Sequence, residues 1–100
     1  MKKAMVLFQR HGAAWDPAKP VREQALWDEH TRFVDALYDQ GKILLAGPFA
    51  DGTGSLVVLD AESPDAARAL FRDDPWAERD ILVAADVKEW TIFLDGRDRR

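Results

Sequence analysis

The chain contains no cysteine. Disulfide scaffolds and thiolate chemistry are thereby excluded, and a reducing cytoplasm is the expected setting. Long hydrophobic runs are missing too. The apolar stretch from Ala4 to Phe8 is too short for a signal-peptide core. No segment approaches the roughly 20 apolar residues of a membrane helix. Basic residues are dispersed except in the terminal "GRDRR", and the formal net charge is -4. A nucleic-acid partner, which needs a clustered basic face, is not expected. The two histidines, His11 and His30, lie far apart and no metal-ligand spacing stands out, so no metal is expected. No serine sits in a nucleophile elbow. The glycine-bearing stretch "AGPFADGTGS" lacks the lysine of a P-loop and the spacing of a dinucleotide fingerprint, and no cofactor is expected.

What remains is the composition of one globular domain: 100 residues, 47% hydrophobic and 32% charged. That length supports a single modest core. Four tryptophans are many for such a chain. Some of Trp15, Trp27, Trp76 and Trp90 are expected on a pocket or contact surface.

Ala4 to Phe8 reads as a strand buried on both faces. Gly12, Pro17 and Pro20 punctuate the loop that follows. From Val21 to about Gln40 the pattern is helical, with Leu26, Phe33, Val34 and Leu37 on one stripe. Gly41 is placed to end that helix. "KILLAGPF" and "SLVVLD", joined by the turn "ADGTG", read as a hairpin. Pro48 cannot donate to a ladder, which puts the first of these strands at a sheet edge or ends it there. Ser63 is a predicted N-cap with Pro64 at the first helical position, and Ala66, Ala67, Leu70 and Phe71 make the buried stripe. "ILVAADVKEWTIFLD" is the last strand, with a bulge expected around Ala84 to Asp86. The order β-α-β-β-α-β is α+β and ferredoxin-like, with both helices on one face of a four-stranded antiparallel sheet. Residues 1–95 form the domain, and 96–100 read as a frayed polar tail. The sheet face left uncovered by helices predicts a homodimer packed sheet against sheet.

Two segments carry the chemistry. Leu26, His30, Phe33 and Leu37 step by helical spacing, placing the imidazole on the sheet-facing stripe. "DDPW", Asp73 to Trp76, follows the second helix. Carboxylates at a helix C-terminus oppose its dipole, so they do not serve that end. Asp74 suits the N-cap of a short turn starting at Pro75, with an oxygen left to face His30. A carboxylate on one ring nitrogen fixes the tautomer that a general acid–base histidine needs. Asp73 is the more expendable of the pair, and His11 reads as an exposed loop decoration.

The ordered set of "HTRF", Gly41, "LLAGPFADGTGSLVVLDAESPDAA" and "DDPW" resembles the YCII-related (YciI-like) family, from about Met5 to Phe93. The resemblance implies the fold of dimeric α+β barrels and an active site pairing the helix histidine with the aspartate before proline. Those residues are His30 and Asp74 here, and Gly47 and Pro48 match the family's Gly-Pro. Related barrels include lactone isomerases, dehydrochlorinases and cofactor-independent oxygenases. The leading expectation is therefore a cytoplasmic enzyme acting on an unidentified small molecule by lyase- or isomerase-type proton transfer. His30 and Asp74 are its expected catalytic pair, with Phe33, Gly47, Pro48 and Trp76 against the substrate. The competing expectations are a non-catalytic ligand-binding or structural homodimer, and an accessory subunit that docks a partner through its tryptophans. An open cavity at His30 and Asp74 favours the enzyme or ligand-binding readings, whereas a sealed pair favours a structural bond.

Overall fold

The computed structural model describes residues 2–99. The apolar run Ala4 to Phe8 forms the middle of β1, Lys2–His11. The "KILLAGPF" and "SLVVLD" runs become β2, Ile43–Pro48, and β3, Gly54–Leu59. The last apolar run becomes β4, Leu82–Ile92. All three pairings are antiparallel and the order is β2-β3-β1-β4. This is the ferredoxin-like arrangement. β2 is an edge strand and ends at Pro48, where a missing N–H costs no ladder bond.

The helices are α1, Trp27–Asp39, α2, Pro64–Phe71, and α3, Pro75–Glu78. Ser63 caps α2 by accepting a bond from the Ala66 N–H, with Pro64 at the first position. Met5 and Leu7 of β1, Val57 and Leu59 of β3 and Val87 of β4 meet Leu37, Ala67 and Phe71 of the helices in the main core. Each such large apolar side chain contributes about 1.5–3 kcal/mol through burial. Among the described residues, no helix is long and apolar enough to cross a membrane.

α1 starts later than its periodicity predicts. Val21–Glu23 forms a separate 3-10 turn after Pro20, and Gln24 is extended. The buried Gln24 carboxamide accepts from the Asp16 N–H and donates to the Asp16 and Lys19 carbonyls, at 2.7 to 2.9 Å. These bonds tie the 12–20 loop to the body and override the local helical pattern. Leu26 then adopts a left-handed φ of 62°, which resets the chain for the helix starting at Trp27. At the other end of α1, Gly41 has φ 77° and the Lys42 N–H bonds the Leu37 carbonyl at 3.0 Å.

The expected bulge is present. Phe8 pairs with Asp86 but Gln9 pairs with Ala84, so Ala85 is the extra residue. Gly96–Arg99, expected to fray, forms a 3-10 turn. Asp95 holds it by accepting from the Arg97 backbone N–H at 3.0 Å and from the Arg97 guanidinium at 2.9 and 3.0 Å. Those bonds keep the Asp95 carboxyl well below the usual carboxylate range. Arg100 lies outside the described residues.

Most side chains around a shallow hollow on the sheet face away from the helices are also apolar, with Lys88 and Glu89 at the β4 side. Val6, Phe8, Leu56, Val58 and Trp90 line it. Trp90 is 47% exposed and Leu45 54% exposed.

Candidate active site

His30 lies one turn into α1, and its backbone N–H bonds the Leu26 carbonyl at 2.9 Å. Asp74 is the N-cap of α3: its Oδ1 accepts from the Trp76 N–H at 3.0 Å, and Pro75 occupies the first helical position. The same carboxylate faces His30, whose Nδ1 lies 3.0 Å from Oδ1 and 2.9 Å from Oδ2. An ionised carboxylate only accepts, so Nδ1 carries the hydrogen and donates. With Nδ1 so engaged, Nε2 is the ring nitrogen left for a further partner.

Trp76 fixes the plane of that ring. The two ring systems stack with centroids 3.8 Å apart and 5° between planes. Trp76 is itself pinned, since its Nε1–H donates to the Ala25 carbonyl at 2.7 Å and it is almost wholly buried. Trp15 meets Trp76 edge-on at 5.8 Å, and Trp27 packs against both Trp76 and His30. A second apolar cluster of Trp76, Ile81 and Leu82 underlies this group. One turn of four residues therefore caps itself, orients an imidazole and supplies the surface on which it rests.

His30 opens onto a cavity of about 310 Å³. α1 also contributes Trp27, Thr31 and Val34, and the edge strand contributes Ala46, Gly47 and Pro48. Trp76 closes one side, and Arg22 and Asp35 stand among the lining residues. Asp74 does not line it: its side chain is 1% exposed, against 12% for His30. The pair is split, with one member facing the cavity and the other sealed behind it. Among the described residues, no group of three or more His, Asp or Glu could hold a metal ion.

His30, Gly47, Pro48 and Trp76 thus meet at one cavity, and Phe33 does not. Phe33 packs edge-on against Phe71 at 6.0 Å and joins the main core. Helical phase explains this. At about 100° per residue, Trp27, Thr31 and Val34 fall to one side of His30 and Phe33 to the other. His11 is stacked on Trp15 at 3.8 Å and lines an adjoining hollow with Lys19. Asp73 is exposed. Sequence reasoning missed Gln9 and Ser55, both of which line the His30 cavity.

Residues 3–91 match the YCII-related domain, and the chain belongs to that family. It is 35% identical over 63 residues to the uncharacterized protein YjpA of Bacillus subtilis (strain 168), a match covering 63% of this chain and 67% of YjpA. It is 37% identical over 70 residues to protein YciI of Escherichia coli O6:H1 (strain CFT073), covering 60% of this chain and 65% of YciI. The chain thus spans about two thirds of the length of these relatives. A solved structure with the same fold is 5-chloro-2-hydroxyhydroquinone dehydrochlorinase (TftG) from Burkholderia phenoliruptrix AC1100, in complex with 2,5-dihydroxybenzoquinone. The TM-score is 0.51 at 21% identity, covering 96% of this chain and 99% of TftG. At that identity the likeness is one of fold.

Proposed function

We propose that this protein is a small-molecule enzyme in which His30 is the general acid–base and Asp74 orients it. The observation that carries the reading is the contact of Nδ1 with both Asp74 oxygens, on a ring that lines a cavity. Nε2 takes a proton from an acidic carbon or hydroxyl of the substrate, and the Asp74 carboxylate stabilises the imidazolium so formed. Returning that proton to a different atom completes an isomerisation. Delivering it to a departing group completes an elimination. Asp74 is a positioning residue, since it does not reach the cavity. The fold shared with a dehydrochlorinase directs the first substrate screen to hydroxylated rings. His30→Ala should lower turnover of a substrate found by metabolite profiling about 10²–10⁴-fold. Unchanged turnover would refute the role.

The protein acts as a homodimer through the open sheet face in this reading, with the setting cytoplasmic. The apolar hollow around Val58 and Trp90 supports the dimer, because such a patch is unfavourable in water. Sedimentation should give a dimer at micromolar concentration and a monomer for Trp90→Asp. A wild-type monomer would overturn this part.

A further inference from the structure

On the helix-facing side of the sheet, β1 presents Met5, Leu7 and Gln9, while β3 presents Leu59, Val57 and Ser55 opposite them. The first two ranks are buried apolar residues of the main core. The third rank is polar on both strands and lines the His30 cavity. Gln9 is only 7% exposed. Among the described residues, every fully sealed side-chain polar atom has a hydrogen-bond partner. The Gln9 carboxamide has none among the described residues, so its atoms open into the cavity. A buried carboxamide without partners is costly in a core and is kept only where something else completes its bonds.

The backbone holds Gln9 in place from both sides. Its pairing with β4 falls at the register shift made by Ala85, a device that re-aims side chains beside active sites. On the other side β3 comes so close that a Cβ at Gly54, with φ 149°, would lie 2.1 Å from the Gln9 carbonyl oxygen. Directly paired residues stand about 5 Å apart at Cβ, so the carboxamide and the Ser55 hydroxyl can grip one group together.

We propose that Gln9 and Ser55 are the substrate-recognition pair of this cavity, selecting a small, largely apolar molecule by its uncharged carbonyl or hydroxyl oxygen. The carboxamide donates to a carbonyl or accepts from a hydroxyl, and the serine does either. Neither group carries a charge, so the oxygen that the pair holds is an uncharged one, while Arg22 and Asp35 line other parts of the cavity. The volume suits a ligand at the small end of the usual range. The inference rests on the acid–base reading of His30 for its place in a reaction, but its binding test does not.

The test uses hydroquinone and toluene as probes, titrated into the full chain and followed by NMR. The wild type should bind hydroquinone about 10-fold tighter than toluene, the worth of about one buried hydrogen bond. Gln9→Leu should lose that preference about 10-fold with toluene affinity unchanged or improved, and its Tm should equal or exceed that of the wild type, because no bond is lost. Gln9→Ala, which cannot overpack, should show the same loss for hydroquinone. Retained hydroquinone preference in both variants, no preference in the wild type, or a lower Tm for Gln9→Leu would each overturn the assignment. Loss of the preference together with full turnover by His30→Ala would sink the acid–base reading alone.

Discussion

The bond between His30 and Asp74 can be measured without knowing the substrate. Asp74→Ala removes two things at once. It deletes the cap on the Trp76 N–H at 3.0 Å, worth about 1 kcal/mol. It also deletes the carboxylate 2.9 Å from Nδ1, where a hydrogen bond to a charged group is worth about 1.5–3 kcal/mol. The sum is about 2.5–4 kcal/mol, and at about 4–8 °C per kcal/mol for a domain of this size Tm should fall by at least about 10 °C. A double-mutant cycle separates the parts. Urea unfolding at pH 7 of the wild type, Asp74→Ala, His30→Ala and the double variant should give a coupling of about 1.5–3 kcal/mol, since the cap loss cancels. Asp74→Asn adds a chemical readout. Its oxygen can keep the cap while its NH₂ faces Nδ1, so ¹⁵N shifts of His30 should report the hydrogen moving from Nδ1 to Nε2. Additivity within about 0.5 kcal/mol, together with an unchanged tautomer in Asp74→Asn, would refute the reasoning.

Two further outcomes follow from other parts of the chain. Gly54→Ala should destabilise the protein by at least about 1–3 kcal/mol in urea, because the new Cβ meets backbone that cannot turn aside; a neutral substitution would contradict the register at Gln9. Asp51, in the hairpin turn, accepts from the Thr53 hydroxyl at 2.6 Å and the Thr53 N–H at 3.0 Å, and these bonds hold its carboxyl below the usual value. Its contribution is therefore complete above the unfolded value of about 4 and is lost as pH falls through the lower folded value. The stability gap between the wild type and Asp51→Ala should be constant above about pH 5 and narrow below about pH 4, and a widening gap in acid would contradict the assignment.

Much of this architecture was legible in the sequence because local and global preferences agree. Ser63 before Pro64 and Asp74 before Pro75 each announce a helix start, and both caps form. Pro48 ends an edge strand as its chemistry demands. The late start of α1 was hidden, because the bonds that unwind 24–26 come from Gln24 reaching back to Asp16 and Lys19. No periodicity reports a tertiary carboxamide. Phe33 shares a broad helical stripe with His30, so the sequence does not separate it from the lining residues, but the cavity occupies only one side of that stripe. Gln9 and Ser55 were invisible for a different reason. Each is an ordinary polar residue at a strand end until the register between β1 and β3 sets them side by side.

The central claim is that His30 moves a proton inside the cavity. Its most direct test is hydrogen–deuterium exchange at acidic carbons of hydroxylated quinones and cyclic ketones in D₂O, followed by ¹H NMR. The wild type should accelerate loss of the C–H signal for at least one compound, and His30→Ala should exchange it at least about 10²-fold more slowly. Equal rates for the two proteins across the panel would contradict the account.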